Sequence, residues 1–282
     1  MTTPIRTRMF TKTLQEFLVS NSDFKVIFNP TGRIEEPEKS FLNQDTQRIC
    51  VLDSSFNPPH LGHLSLAKDS LAQSYSATED EDKVLLLLLS VKNADKITPQ
   101  PASFEERIDM MCLMANYLHK TLGINVSVGL TKHARFVDKW SSALSYIRNE
   151  KLQDPVKVKL TFSVGFDTLI RIFNPKYYVP DKISHTLGEF MSTTDLFCLT
   201  RTDADTTFQE QVRYVTDISL NKHDHIPSGW SSRIFLEQKN DSTSKVSSSS
   251  IRKQIHGQTE KNWENDVIEE IKDYIETNKI YR

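Results

Sequence analysis

Val84 to Leu89 is an unbroken aliphatic run, V-L-L-L-L-L, preceded by Lys83 and followed by Ser90 and Val91. A half-buried strand alternates apolar and polar residues; this one does not, so both of its faces need cover. It is too short to span a bilayer. The cover must then come from protein, which points to a central parallel strand with helices on both sides. Ile49-Cys50-Val51-Leu52, Val156 to Val164 and Leu196 to Thr200 read as further strands, and Phe24 to Phe28 as a short one. Helical spacing appears at residues 10–20, 61–74, 103–121, 140–148 and 206–220, and again at 249–256 and 263–277. Ser103 followed by Glu106 is a capping box. Ile124 to Val128 alternates like a strand, and Arg233 to Leu236 is a candidate short one. Strand and helix thus alternate along the chain, the pattern of an α/β fold with a doubly wound parallel sheet. Residues 1–47 read as an N-terminal extension with one helix and one short strand, and 48–282 as the main domain.

The strand at 49–53 runs into S-S-F-N-P-P-H-L-G-H, Ser54 to His63, and then into a helix. A strand, a Pro-Pro turn and a helix start form an anion-binding corner, because free backbone N–H groups and the positive helix end converge there. His60 and His63 are three apart, on one face of the first turn, where imidazole N–H groups can donate to phosphate oxygens. The plain alternative is a pair of surface histidines. Near the other end stands V-S-S-S-S-I-R, Val246 to Arg252. Composition alone reads as a serine-rich linker, but Ile251 and Ile255 mark a helix. The serines are then caps. Arg252 lies one turn inside, with a side chain that leans back toward the helix start. This is a second phosphate cradle without a glycine-rich loop.

The net charge of −2 gives no global field to draw the chain to nucleic acid. Cys50, Cys112 and Cys198 lie apart in apolar runs and read as buried thiols of a reducing compartment, cytoplasm or nucleus. No membrane segment and no cysteine-based metal site are expected. His223-Asp224-His225 carries metal-ligand residue types, but it sits in a polar irregular stretch that reads as a loop.

Taken together, these residues resemble the nucleotidyltransferase superfamily marked by H-x-G-H, and within it the nicotinamide mononucleotide adenylyltransferase family. That family opens with G-S-F-N-P and ends with I-S-S-T-x-I-R. G-F-D at Gly165 to Asp167 is similar to its G-A-D, and L-T-R at Leu199 to Arg201 to its V-T-R. V-K-N-A-D-K, Val91 to Lys96, falls where the family binds the mononucleotide. The resemblance runs from about residue 48 to 277 and is closest to a divergent fungal branch.

The resemblance implies a Rossmann-like fold of the nucleotidyltransferase type and a reaction between ATP, with Mg²⁺, and nicotinamide mononucleotide. It implies that His60, His63 and Arg252 carry the catalysis. Ser55 and Phe56 would meet substrate through backbone groups. Gly165 and Asp167 would lie at the ATP ribose, Arg201 near adenine or phosphate, and Ser249, Ser250, Ile251 and Arg252 around the triphosphate. Lys96, with Lys92 nearby, would neutralise the mononucleotide phosphate, and Trp140 and Tyr177, beside Tyr178, would meet its base. Plain alternatives stand beside these: Asp167 as an N-cap, Arg201 as a solvated strand end, the lysines as loop residues.

Two departures bear on function. Ser54 stands where most of the family has glycine, at a steric cost if that position needs a positive φ or a very close approach to phosphate. Ile147, beside Tyr146, stands where the family has a stacking tryptophan. They leave a second reading, an ATP-binding or weakly ATP-hydrolysing adaptor that works through a protein partner at residues 1–47.

Overall fold

The computed structural model describes residues 3–31, 42–43, 45–75, 82–91, 101–149, 157–200, 207–238, 243, 246–257 and 262–282. Its elements run α1 (Thr3–Val19), β1 (Phe24–Phe28), β2 (Arg48–Asp53), α2 (Leu61–Ala72), β3 (Lys83–Ser90), α3 (Phe104–Leu122), β4 (Val126–Thr131) and α4 (Phe136–Arg148). They continue with β5 (Lys159–Gly165), α5 (Phe166–Ile172), α6 (Ile183–Thr186), α7 (Gly188–Thr193), β6 (Thr194–Thr200), α8 (Phe208–Ser219), β7 (Ile234–Gln238), α9 (Ser248–Ile255) and α10 (Glu269–Asn278).

The strands form one sheet in the order β1-β4-β3-β2-β5-β6-β7. All neighbours are parallel except β1, which lies antiparallel on β4 with Phe24 opposite Thr131. From β2 the order proceeds outward in both directions, so the chain reverses its winding between β2 and β5. Ligand crevices of doubly wound sheets open at that point, beyond the carboxyl ends of the strands.

The aliphatic run in β3 is buried on both faces, as its lack of alternation demands. Leu85, Leu87 and Leu89 pack with Cys50 and Leu52 against α1, α2, α3, α9 and α10. Leu86 and Leu88 pack with Ile49 and Val51 against α4, α5, α7 and α8. Phe10, Leu14 and Phe17 of α1 are buried in the first of these layers. The three cysteines are buried thiols. No helix among the described residues is long and apolar enough to cross a membrane.

Several boundaries differ from the expected ones for local reasons. The strand expected at 124–128 is Val126–Thr131. Gly123, at φ 69°, closes α3, and the next two residues lead into the sheet. The C-terminal helix divides into a 3₁₀ turn, Trp263–Asp266, and α10, because Val267 and Ile268 run extended between them to reach the core. α4 starts four residues earlier than expected, at Phe136.

The amino edge of the sheet is held by an ion pair. Arg48, which starts β2, donates to Asp195 of β6 at 2.6 Å and to the Thr161 hydroxyl of β5 at 2.7 Å. The two charged side chains are 3% and 4% exposed. Arg233 adds a second contact to Asp195 at 3.2 Å, and the Tyr75 ring lies 4.3 Å from the Arg48 guanidinium. Removing one partner strands the other charge in the interior, which typically costs about 3–5 kcal/mol. Asp195→Ala should therefore lower the unfolding free energy by about that amount in urea titrations.

Candidate active site

β2 ends at Asp53, and the backbone N–H of Ser54 still bonds Leu88 of β3, at 3.3 Å. Residues 54–60 then turn into α2. Phe56 takes the left-handed conformation at φ 45° and is fully buried. A bulky residue at positive φ stores roughly 1–3 kcal/mol of strain. Burial of its ring, 5.1 Å from that of His63, holds it there. Ser54 is not among the residues with positive φ, so a left-handed backbone imposes no steric cost on serine here.

The two histidines cap α2 reciprocally. His60 is the N-cap, and its Nδ1 accepts from the Gly62 N–H at 3.1 Å. His63 Nδ1 accepts from the His60 N–H at 3.2 Å. The rings lie 3.8 Å apart, centroid to centroid, and both are buried. An amide can only donate, so each Nδ1 is an acceptor and each neutral ring carries its hydrogen on Nε2. Nε2 of His63 lies 2.8 Å from the Ser54 hydroxyl. These histidines are thus built into the turn and are not free surface residues. Gly62 is required by crowding: a Cβ there would sit 2.9 Å from the His60 ring and 3.2 Å from the Thr243 carbonyl.

The late motif docks on the early one. Ser247 caps α9 through the Ser250 N–H. Ser248 donates to the Pro58 carbonyl at 2.9 Å, and Arg252 to the Asn57 carbonyl at 2.6 Å. Arg252 also reaches the Ser249 hydroxyl at 3.3 Å, which leaves other guanidinium N–H groups to offer. The N-termini of α2 and α9 thereby meet at one turn. Helix starts favour acidic residues, yet neither first turn has one. Two positive helix ends and a guanidinium, with no carboxylate in either first turn, suit an external anion.

Sequence reasoning missed the support beneath this turn. Asn57 is fully buried, and its side-chain oxygen accepts from Tyr281 at 2.6 Å. Burial pushes the Tyr281 phenol well above its ordinary pKa, which keeps it a donor. Arg107 of α3 is buried beside them and bonds the Ala102 carbonyl; desolvation lowers its pKa, and the nearby Arg252 charge adds to this. Asp53, largely covered, is bound by buried Lys139 of α4 at 2.5 Å. Nothing local marks the Asn57–Tyr281 and Asp53–Lys139 pairs in the sequence, because each joins distant segments.

The remaining expected residues are distributed as follows. Gly165 ends β5 and is itself the N-cap of α5. Asp167 is exposed in the first turn of α5 and is not the cap. Ser55 is half-buried, Ser249 exposed, and Ile251 fully buried in the core. Trp140 is 6% exposed and packs edge-on against Phe190, a core position. Its indole N–H and Asp53 Oδ1 have no hydrogen-bond partner among the described residues. Tyr177 is half-buried, with the Lys176 ammonium 4.7 Å from its ring centre. Tyr178 is buried and bonds the Ile172 carbonyl. Lys92, Lys96 and Arg201 lie outside the described residues. The His223 and His225 rings are 6.3 Å apart, and no group of three potential metal ligands occurs among the described residues.

Known proteins resemble this chain in sequence and in fold. Residues 51–254 match the cytidylyltransferase-like family. A Schizosaccharomyces pombe protein named "Putative nicotinamide mononucleotide adenylyltransferase" is 37% identical over 242 residues, 86% of this chain and 89% of that one. The fold is similar to Plasmodium falciparum nicotinic acid mononucleotide adenylyltransferase complexed with NaAD, at TM-score 0.53 and 15% identity over 83% of this chain and 97% of that one. The same enzyme complexed with APC gives TM-score 0.50 and 14% identity, over 83% and 97%.

Gly62→Ala should force the His60 ring or the Thr243 backbone to move. We expect a loss of about 1–3 kcal/mol, the range for overpacking, seen as a lowered midpoint in urea unfolding.

Proposed function

The chain belongs to the cytidylyltransferase-like family, among the nicotinamide mononucleotide adenylyltransferases, and from that premise we propose that it joins ATP and nicotinamide mononucleotide to form NAD and pyrophosphate. One observation carries this reading: the acid-free starts of α2 and α9 and the Arg252 guanidinium meet at the Ser54–His63 turn. That arrangement supplies N–H and O–H donors to a polyphosphate and little else.

The acceptor's 5′-phosphate oxygen attacks the α-phosphorus of ATP. A new P–O bond forms as the bond to the β-phosphate bridge oxygen breaks, and pyrophosphate leaves. No side chain needs to become covalently attached. The protein's task is alignment and stabilisation of charge as it moves onto the leaving phosphates. His60 donates from Nε2 in this reading, and His63 acts from the Nε2 that faces the Ser54 hydroxyl. Arg252, the Ser249 N–H and the Ser249 and Ser250 hydroxyls hold the triphosphate, since the Ser250 and Ile251 N–H groups already bond Ser247. Asp167 accepts from the ATP ribose hydroxyls, beside Gly165. The backbone of Ser55 and Phe56 meets the acceptor. Lys96 and Arg201 keep their proposed places at the acceptor phosphate and the ATP side.

The donor set does not suit a resident metal, since it is rich in N–H groups and hydroxyls. Mg²⁺ belongs to the nucleotide substrate, bound by phosphate oxygens with its remaining waters.

Purified protein given both substrates and Mg²⁺ should release pyrophosphate and form NAD in equal amounts. His63→Ala should lower kcat about 10²–10³-fold, the usual effect of removing one charge-stabilising donor, with a much smaller change in unfolding midpoint. ATP binding without any dinucleotide would show that the acceptor is misassigned.

A further inference from the structure

We infer that the Ser54 hydroxyl is itself a phosphate ligand of this site, held in place and polarised by His63. The inference rests on the adenylyltransferase reading and adds a group to it.

The proton positions follow from three bonds. The His60 N–H donates to His63 Nδ1, which fixes the neutral ring with its hydrogen on Nε2. Nε2 lies 2.8 Å from Ser54 Oγ, so the imidazole donates and the hydroxyl accepts. The hydroxyl then still has its own hydrogen to give. No other side-chain partner within bonding distance of Oγ is seen among the described residues. Ser54 is half-buried and stands just past the carboxyl end of β2, at the reversal point of the sheet. An oxygen that accepts a hydrogen bond becomes a stronger donor, because linked bonds polarise one another. His63 therefore reaches the nucleotide through Ser54, and the hydroxyl proton is what meets the phosphate oxygen.

The same geometry excludes a different role. A serine hydroxyl 2.8 Å from an imidazole has the spacing of a nucleophile and its base. Here Nε2 already bears a hydrogen and has no lone pair to receive the serine's. Ser54 is a donor to the substrate and does not attack it.

The test is calorimetry of ATP binding to the full chain with Mg²⁺, for the wild type and for Ser54→Ala, Ser54→Gly and Ser54→Thr. A hydrogen bond to a charged group corresponds to about ten- to a hundredfold in affinity. Ser54→Ala and Ser54→Gly should both weaken ATP binding by at least tenfold, while Ser54→Thr, which keeps the hydroxyl, stays within about threefold. Nitrogen-15 spectra of the His63 ring should show Nε2 protonated and Nδ1 unprotonated in the wild type and in Ser54→Ala alike, since the His60 N–H fixes that state. A purely structural serine would shift the unfolding midpoint and leave affinity unchanged. Unaltered ATP affinity in Ser54→Ala and Ser54→Gly, or equal loss in Ser54→Thr, overturns the inference and leaves the ATP site standing. Failure of the wild type to bind ATP overturns both.

Discussion

Arg252 donates to the Asn57 carbonyl across 195 residues of chain, and the arrangement of the site depends on that bond. It pins the start of α9 to the turn that opens α2, with Ser248 on the Pro58 carbonyl as a second point. Neither helix start would make an anion site of this strength alone. Together they bring two positive helix ends and a guanidinium to one place. Below, Tyr281 holds the Asn57 side chain, so the far C-terminus supports the same turn. The strain at Phe56 is sustained by this enclosure.

Charge is divided between the two edges of the sheet. At the amino edge, Arg48 and Asp195 neutralise each other in the interior and tie β2 to β6. At the carboxyl edge, Asp53 is matched by Lys139, while Arg252 bonds carbonyl and hydroxyl groups and no carboxylate among the described residues. The ion pairs fix the framework. In the proposed reading Arg252 meets the nucleotide. A doubly wound sheet makes this division natural, because strand starts are closed by packing while strand ends open at the winding reversal.

Much of this was legible in the sequence. The uninterrupted aliphatic run at 84–89 specified a strand covered on both faces, and the order of strands and helices specified the sheet class. The residue types at 54–63 and 246–252 marked two segments that the fold brings into contact, the two halves of the candidate site. What local pattern could not supply was the pairing of distant residues. Tyr281 and Asn57 are 224 apart, and no spacing rule links them. Of the two conditions that would make serine costly at position 54, a positive φ falls on Phe56 instead, and the serine oxygen meets His63. Trp140 has the composition of a stacking residue, but its burial against Phe190 is a tertiary fact. The short helices α6 and α7 escaped notice because each is too brief to show a period.

The most direct measurement is an experimental structure of the full chain with a non-hydrolysable ATP analogue and Mg²⁺. This account predicts the triphosphate between the Ser54–His63 turn and the first turn of α9, with Arg252 still bonded to the Asn57 carbonyl. A triphosphate bound elsewhere, or an α9 start separated from that turn, would contradict it.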